Sequence, residues 1–97
     1  MEFHYQEDRI ELWDDEKKVI ALVSFPAVGK DTVNIERTYV DNSLRGQGVG
    51  GKLMEAAARH LREQGKKAVL GCSYARGWFQ KHPEYEGLVA EEGGEQS

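Results

Sequence analysis

The chain of 97 residues has room for one modest core, and its composition, 39% hydrophobic and 31% charged, is that of an ordinary globular domain. A net charge of −4 with no basic stripe argues against a nucleic-acid binder, and a single cysteine excludes an internal disulfide framework and a cysteine-rich zinc site. No apolar run reaches the roughly 20 residues that a membrane-spanning helix needs, and the acidic, alternating start MEFHYQEDRIELW is unlike a leader, so a cytoplasmic setting without membrane contact is expected.

In chain order, Phe3 and Tyr5 alternate with polar residues, as do Ile10 and Leu12 beyond Asp8; two short antiparallel strands are predicted. KKVIALVSF (residues 17–25) predicts a stronger strand, entered through the turn-like DDE and ended by Pro26. TVNIERTYV (residues 32–40), rich in β-branched and aromatic residues, predicts the next strand. Asp41, Asn42 and Ser43 break the pattern before a glycine-rich loop. Over residues 51–64, Leu53, Met54, Ala57 and Leu61 fall on one helical face, and Gly65 closes the helix. KAVLG (residues 67–71) predicts a strand, and YARGWFQKH a short helix before Pro83. The β-α-β crossover then sets strands 32–40 and 67–71 side by side and parallel. The polar, acidic tail AEEGGEQS (residues 90–97) is expected to be disordered, which leaves residues 1–89 as a single domain.

The loop LRGQGVGGKL admits three phosphate-binding readings, because glycines let the backbone approach an anion and a helix start directs free N–H groups at it. As a nucleotide-triphosphate P-loop, Gly46 to Lys52 lacks the hydroxyl needed after the lysine, since residue 53 is Leu. As a dinucleotide fingerprint, Gly46, Gly48 and Gly51 lack an acidic residue about 20 positions on, and a DNSL spacer separates them from the strand. The third pattern, Arg45-x-x-Gly48-x-Gly50 between a strand ending in Val-Asp and an amphipathic helix, resembles motif A of the GNAT N-acetyltransferase superfamily. CSYARGWFQKHPEYEGLV (residues 72–89) resembles the C-terminal Cys…HPEY signature of a small single-domain subfamily.

The resemblance implies an α/β (α+β) minimal GNAT fold. Its mixed, mostly antiparallel sheet would have about five strands with a splayed parallel pair, one main helix and one short C-terminal helix. It implies acetyl-CoA as cofactor, with the diphosphate held by Arg45, Gly46, Gln47, Gly48, Val49, Gly50, Gly51 and Lys52. The pantetheine arm would lie along the backbone of Thr38, Tyr39 and Val40. A side chain at Gly48 or Gly50 would stand where phosphate oxygens must come. The acceptor would be an amine, of a protein or peptide if the cleft is open: residues 5–10 leave space only for a turn where larger members insert helices. A monomer or weak homodimer fits the same pattern.

The tyrosine acid of many members falls on Phe79, which has no proton to give, and a histidine typical of the subfamily falls on Arg37, a poor general base. Glu36 and Arg37 would face opposite sides of the strand unless a bulge intervenes. Cys72, between a strand and a helix start, is the candidate catalytic residue: as nucleophile, as acid, or as plain packing. With both expected titratable groups replaced, a coenzyme A-binding module with little turnover is the alternative. His82 is assigned to organising the C-terminal turn. His4 and His60 lie apart from any ligand-spaced carboxylates, so no metal is expected.

Overall fold

A two-residue turn at Glu7 and Asp8 joins β1 (Glu2–Gln6) to β2 (Arg9–Trp13). The structure is a computed structural model that describes residues 2–90. Met1 and residues 91–97 lie outside the described residues, and with them all of the expected disordered tail except Ala90. β2 pairs antiparallel with β3 (Val19–Ser24) through a compact turn in which the Asp14 carboxylate accepts the Glu16 and Lys18 amides, each at 2.9 Å. Phe25 and Pro26 then carry the chain off the ladder.

The run expected as one strand over residues 32–40 is two. β4 (Thr32–Ile35) pairs in parallel with β6 (Lys67–Leu70), whereas β5 (Arg37–Val40) pairs antiparallel with β3. The sheets are therefore β1-β2-β3-β5 and β4-β6, six strands against about five expected. A bridge between Ala27 and Val33 and the bond from the Asn34 amide to the Pro26 carbonyl, 2.9 Å, hold β4 beside the end of β3. Glu36 lies outside both ladders and donates its amide to the Ser24 carbonyl at 3.1 Å. Burial shows the slip: Val33 and Ile35 face the core, then Thr38 and Val40 turn inward, with Glu36 and Arg37 exposed in succession. One residue is inserted in the alternation, as in a β-bulge.

α1 (Val49–Glu63) crosses back from β5 to β6 and buries Val49, Leu53, Met54, Ala57, Ala58 and Leu61. They meet Ile10 and Leu12 of β2 and Ala21 and Val23 of β3 in one core. Its end has Schellman geometry: Gly65, at φ +70°, donates to the Arg62 carbonyl and Lys66 to that of Leu61, at 3.1 and 3.0 Å. α1 starts two residues before the expected Gly51, at the buried Val49, although Gly50 and Gly51 have weak helix propensity. After β6, α2 (Ser73–Gln80) and a 3-10 segment (Pro83–Leu88) add Ala75, Trp78, Phe79, Tyr85 and Leu88 to the core. Ala90 donates its amide to the Ala68 carbonyl at 2.7 Å. Among the described residues no helix is long and apolar enough to cross a membrane.

Leu53, fully buried at the centre of the α1 stripe, tests this packing. Leu53→Ala should lower unfolding stability by about 2–5 kcal/mol in urea titrations; a loss under ~1 kcal/mol would mean that α1 does not carry the core.

Candidate functional site

The divergence of β5 from β6 creates an opening, and its apex is the Ile35 carbonyl. That oxygen accepts both the Gly71 and Cys72 amides, at 3.1 and 3.0 Å. The Asn34 side chain adds a bond to the Gly71 amide, 3.0 Å, and Arg76 reaches back to the Leu70 carbonyl at 2.9 Å. β6 thus ends at a fixed corner while β5 leaves with β3. Antiparallel alternation decides which backbone groups line the gap. Asp41 donates to Ile20 at 2.8 Å, so Tyr39 and Arg37 point their amides at β3, and Thr38 and Val40 point theirs into the opening.

Past β5, the Asp41 carboxylate receives the Ser43 amide at 3.0 Å, the Ser43 hydroxyl at 2.5 Å and the Tyr39 hydroxyl at 3.3 Å. These bonds, led by the Ser43 hydroxyl, hold the Asp41 carboxyl below its ordinary range, with Lys18 contributing. They cap a short 3-10 turn (Asn42–Leu44). The loop then exposes Arg45, Gly46, Gln47 and Gly48 between two anchors, half-buried Leu44 and buried Val49. Gly46 and Gly48 have φ of +85° and +73°, conformations that side-chain-bearing residues resist. Lys52 is the first α1 amide with a carbonyl partner, Gly48 at 3.1 Å, so Val49, Gly50 and Gly51 carry the free donors of the helix start.

Thr38 and Cys72 meet across the gap, the hydroxyl 3.7 Å from the thiol. Cys72 is the N-cap of α2. The amides of Ala75 and Tyr74 face its sulfur without closing a cap hydrogen bond. Tyr74 spans the remaining distance: its hydroxyl lies 2.9 Å from where a Cβ on Gly50 would stand. Gly50 thus makes space for the Tyr74 phenol, a role the sequence does not announce. Among the described residues no cluster of three potential metal ligands occurs.

The expected site residues do not all converge. Tyr39 turns its ring to the opposite face of the sheet from Thr38, and Val49 packs into the core. The Lys52 side chain lines a groove beside β1, with Phe3 and Tyr5. Arg37 is exposed next to Glu36, and Phe79 is buried against Trp78. His82 stacks on the Trp78 ring at 3.8 Å and donates through Nδ1 to the Trp78 carbonyl at 2.8 Å, so it braces the C-terminal turn. Tyr74 is the functional candidate that spacing alone leaves unsupported; only the missing Cβ at Gly50 marks it.

Residues 9–88 match the family of GCN5-related N-acetyl-transferases. Protein NATD1 of Xenopus tropicalis is 33% identical over 63 residues, which are 65% of this chain and 58% of that protein. The chain therefore spans little more than half the length of such curated relatives. The solution structure of a GCN5-like protein from Staphylococcus aureus has a TM-score of 0.74 at 31% identity, covering 99% of this chain and 96% of that one. The GNAT family N-acetyltransferase YhbS of Escherichia coli, crystallised in complex with CoA, gives 0.56 at 29% identity over 64% of this chain and 38% of its own. Such a match across most of the chain, on a mixed sheet that splays beside a glycine-started helix, makes the chain a member of the GCN5-related N-acetyltransferase family.

Proposed function

We propose that this single domain binds acetyl-CoA in the opening between β5 and β6 and transfers the acetyl group to an amine, of a protein or peptide. One observation carries the reading. Free backbone donors at Thr38 and Val40 and at the α1 start border the same opening as a titratable thiol. Similarity to YhbS, solved with CoA, supports the choice of ligand. The residues present fit it: the amides of Val49, Gly50 and Gly51 and the exposed Arg45 suit a diphosphate, and the edge of β5 suits an extended arm with amide groups. Bound there, acetyl-CoA supplies an activated acyl thioester. The Cys…HPEY segment belongs to this reading as a subfamily signature.

What the chain contributes is control of a proton. Burial alone would push the Cys72 thiol up, but the Ala75 amide, the Thr38 hydroxyl and the Tyr74 amide favour the thiolate and hold it below its ordinary value. Burial first, and then the neighbouring Cys72 charge, push the Tyr74 phenol up, so it keeps its proton near neutrality. The opening therefore pairs a thiol that loses its proton more readily than usual with a phenol that loses its own less readily. A second reading, a coenzyme A-binding module with little turnover, is favoured by Phe79, which fills a core position where many relatives carry an acid.

Alkylation of Cys72 by iodoacetamide should rise with pH to a midpoint below that of an unstructured cysteine peptide, and Thr38→Val should move it upward. An ordinary midpoint in both proteins contradicts the arrangement. Calorimetric titration with acetyl-CoA should show Arg45→Glu weakening binding by about 1.5–3 kcal/mol, roughly 10- to 150-fold in Kd; unchanged affinity removes the loop from the site. With acetyl-CoA and a panel of amines and peptides, intact-mass measurement should detect acetylated acceptor, strongly reduced in Cys72→Ser. Binding without any product supports the second reading.

A further inference from the structure

A face of the molecule remote from the opening also has its backbone exposed. β1 is the outer strand of its sheet, and Phe3 and Tyr5 on it are 39% and 51% exposed. Both rings border a groove of about 550 Å³ between β1 and α1, lined also by Lys52, Glu55, Arg59 and Glu63. We propose that this edge and groove form the interface of a symmetric homodimer, in which β1 pairs antiparallel with β1 of a second copy about a two-fold axis at His4. The proposal stands independently of the acetyltransferase reading.

Strand parity favours a second copy. Gln6 and Arg9 close the two-residue hairpin, so Gln6, His4 and Glu2 direct their backbone groups at β2. Phe3 and Tyr5 are left with amides and carbonyls pointing outward. In an antiparallel pairing centred on His4, Phe3 of each copy stands opposite Tyr5 of the other. The outward groups then meet as reciprocal hydrogen-bonded pairs, and an aromatic ring faces an aromatic ring twice. Glu2 falls opposite Gln6, so its carboxylate meets no like charge, and His4 on the axis stands opposite His4 of the second copy.

The helix surface obeys the same symmetry. Three successive antiparallel pairings make β5 run opposite to β1, and α1 returns the chain against β5, so α1 runs parallel to β1. Contact between the Tyr5 and His60 rings, 5.0 Å apart, sets the level of the two elements. A two-fold at His4 therefore turns the second α1 antiparallel to the first across the joined grooves. Along this flank the charges read Lys52, Glu55, Arg59, Glu63. Reversal matches Lys52 with Glu63 and Glu55 with Arg59, each twice; a parallel arrangement would oppose like charges. Such an isologous surface is self-complementary in both backbone and charge. A five-residue edge makes the association a weak one, and pairing protects an aromatic strand edge from open-ended aggregation.

Sedimentation velocity of the full chain across a wide concentration range should show reversible dimer. Isotope-filtered NMR of a mixed labelled and unlabelled sample should give intermolecular contacts between Phe3 and Tyr5. Phe3→Pro removes an outward amide without touching the β1–β2 ladder, and should leave the protein folded and monomeric. Arg59→Glu, on an exposed helix position, should also return it to monomer, and the double change Glu55→Arg with Arg59→Glu should restore the dimer. If Phe3→Pro disturbs the hairpin by circular dichroism, the charge pair decides alone. A protein that stays monomeric at all concentrations overturns the proposal, as does a dimer indifferent to Arg59→Glu.

Discussion

The Ile35 carbonyl is the point on which the molecule turns. It accepts two amides, from Gly71 and Cys72, and in doing so ends the parallel ladder. The next residue, Glu36, bonds instead to Ser24 and commits β5 to the other sheet. A strand that kept β6 as its partner through Val40 would close the gap, satisfy Thr38 and Val40 and leave no edge for a ligand. The inserted residue thus converts what would have been one continuous sheet into two that diverge, and the Thr38, Cys72 and Tyr74 polar groups lie around that divergence.

The loop and helix beyond β5 are placed by ordinary local chemistry. Asp41 fixes the turn, Leu44 and Val49 anchor the loop at either end, and two left-handed glycines reverse the chain between them. The helix start that results presents its orphan amides beside the opening, on a rigid element pressed into the core by Leu53, Met54 and Leu61. Such a helix start would lose little on binding an anion, because the free donors have no internal partner to abandon. On the far wall, the α2 N-cap does the same for a sulfur atom. Two helix starts therefore face one gap, and both favour negative charge.

Much of this was legible in the sequence. The stripe of Leu53, Met54, Ala57 and Leu61 has a period no strand could share, and Gly65 has one plain use after it. Phe3, Tyr5, Ile10 and Leu12 alternate around a turn too short for anything but a hairpin. Arg45, Gly48 and Gly50 in their setting point to the family. What stayed hidden was non-local. A run from Thr32 to Val40 rich in β-branched and aromatic residues masks the change of partner, whose one trace is the phase slip at Glu36 and Arg37. The first turn of α1 is not legible because Gly50 and Gly51 are poor helix formers, and Tyr74 and Trp78, which stand beside them, come more than twenty residues later. Proximity of Thr38 to Cys72, and the turning of Lys52 toward β1, depend on packing that spacing does not encode.

The closeness of Gly50 and Tyr74 couples two positions that are distant in the chain. A Cβ at residue 50 would stand 2.9 Å from the Tyr74 hydroxyl, so the exposed end of the ring would have to shift aside to admit it. A methyl group gained on the helix is met by a smaller or displaced ring opposite it. Lineages that trade that ring away would also surrender the proton it retains beside Cys72, so the freedom to vary at a residue without a side chain is set by the chemistry of a residue that has one.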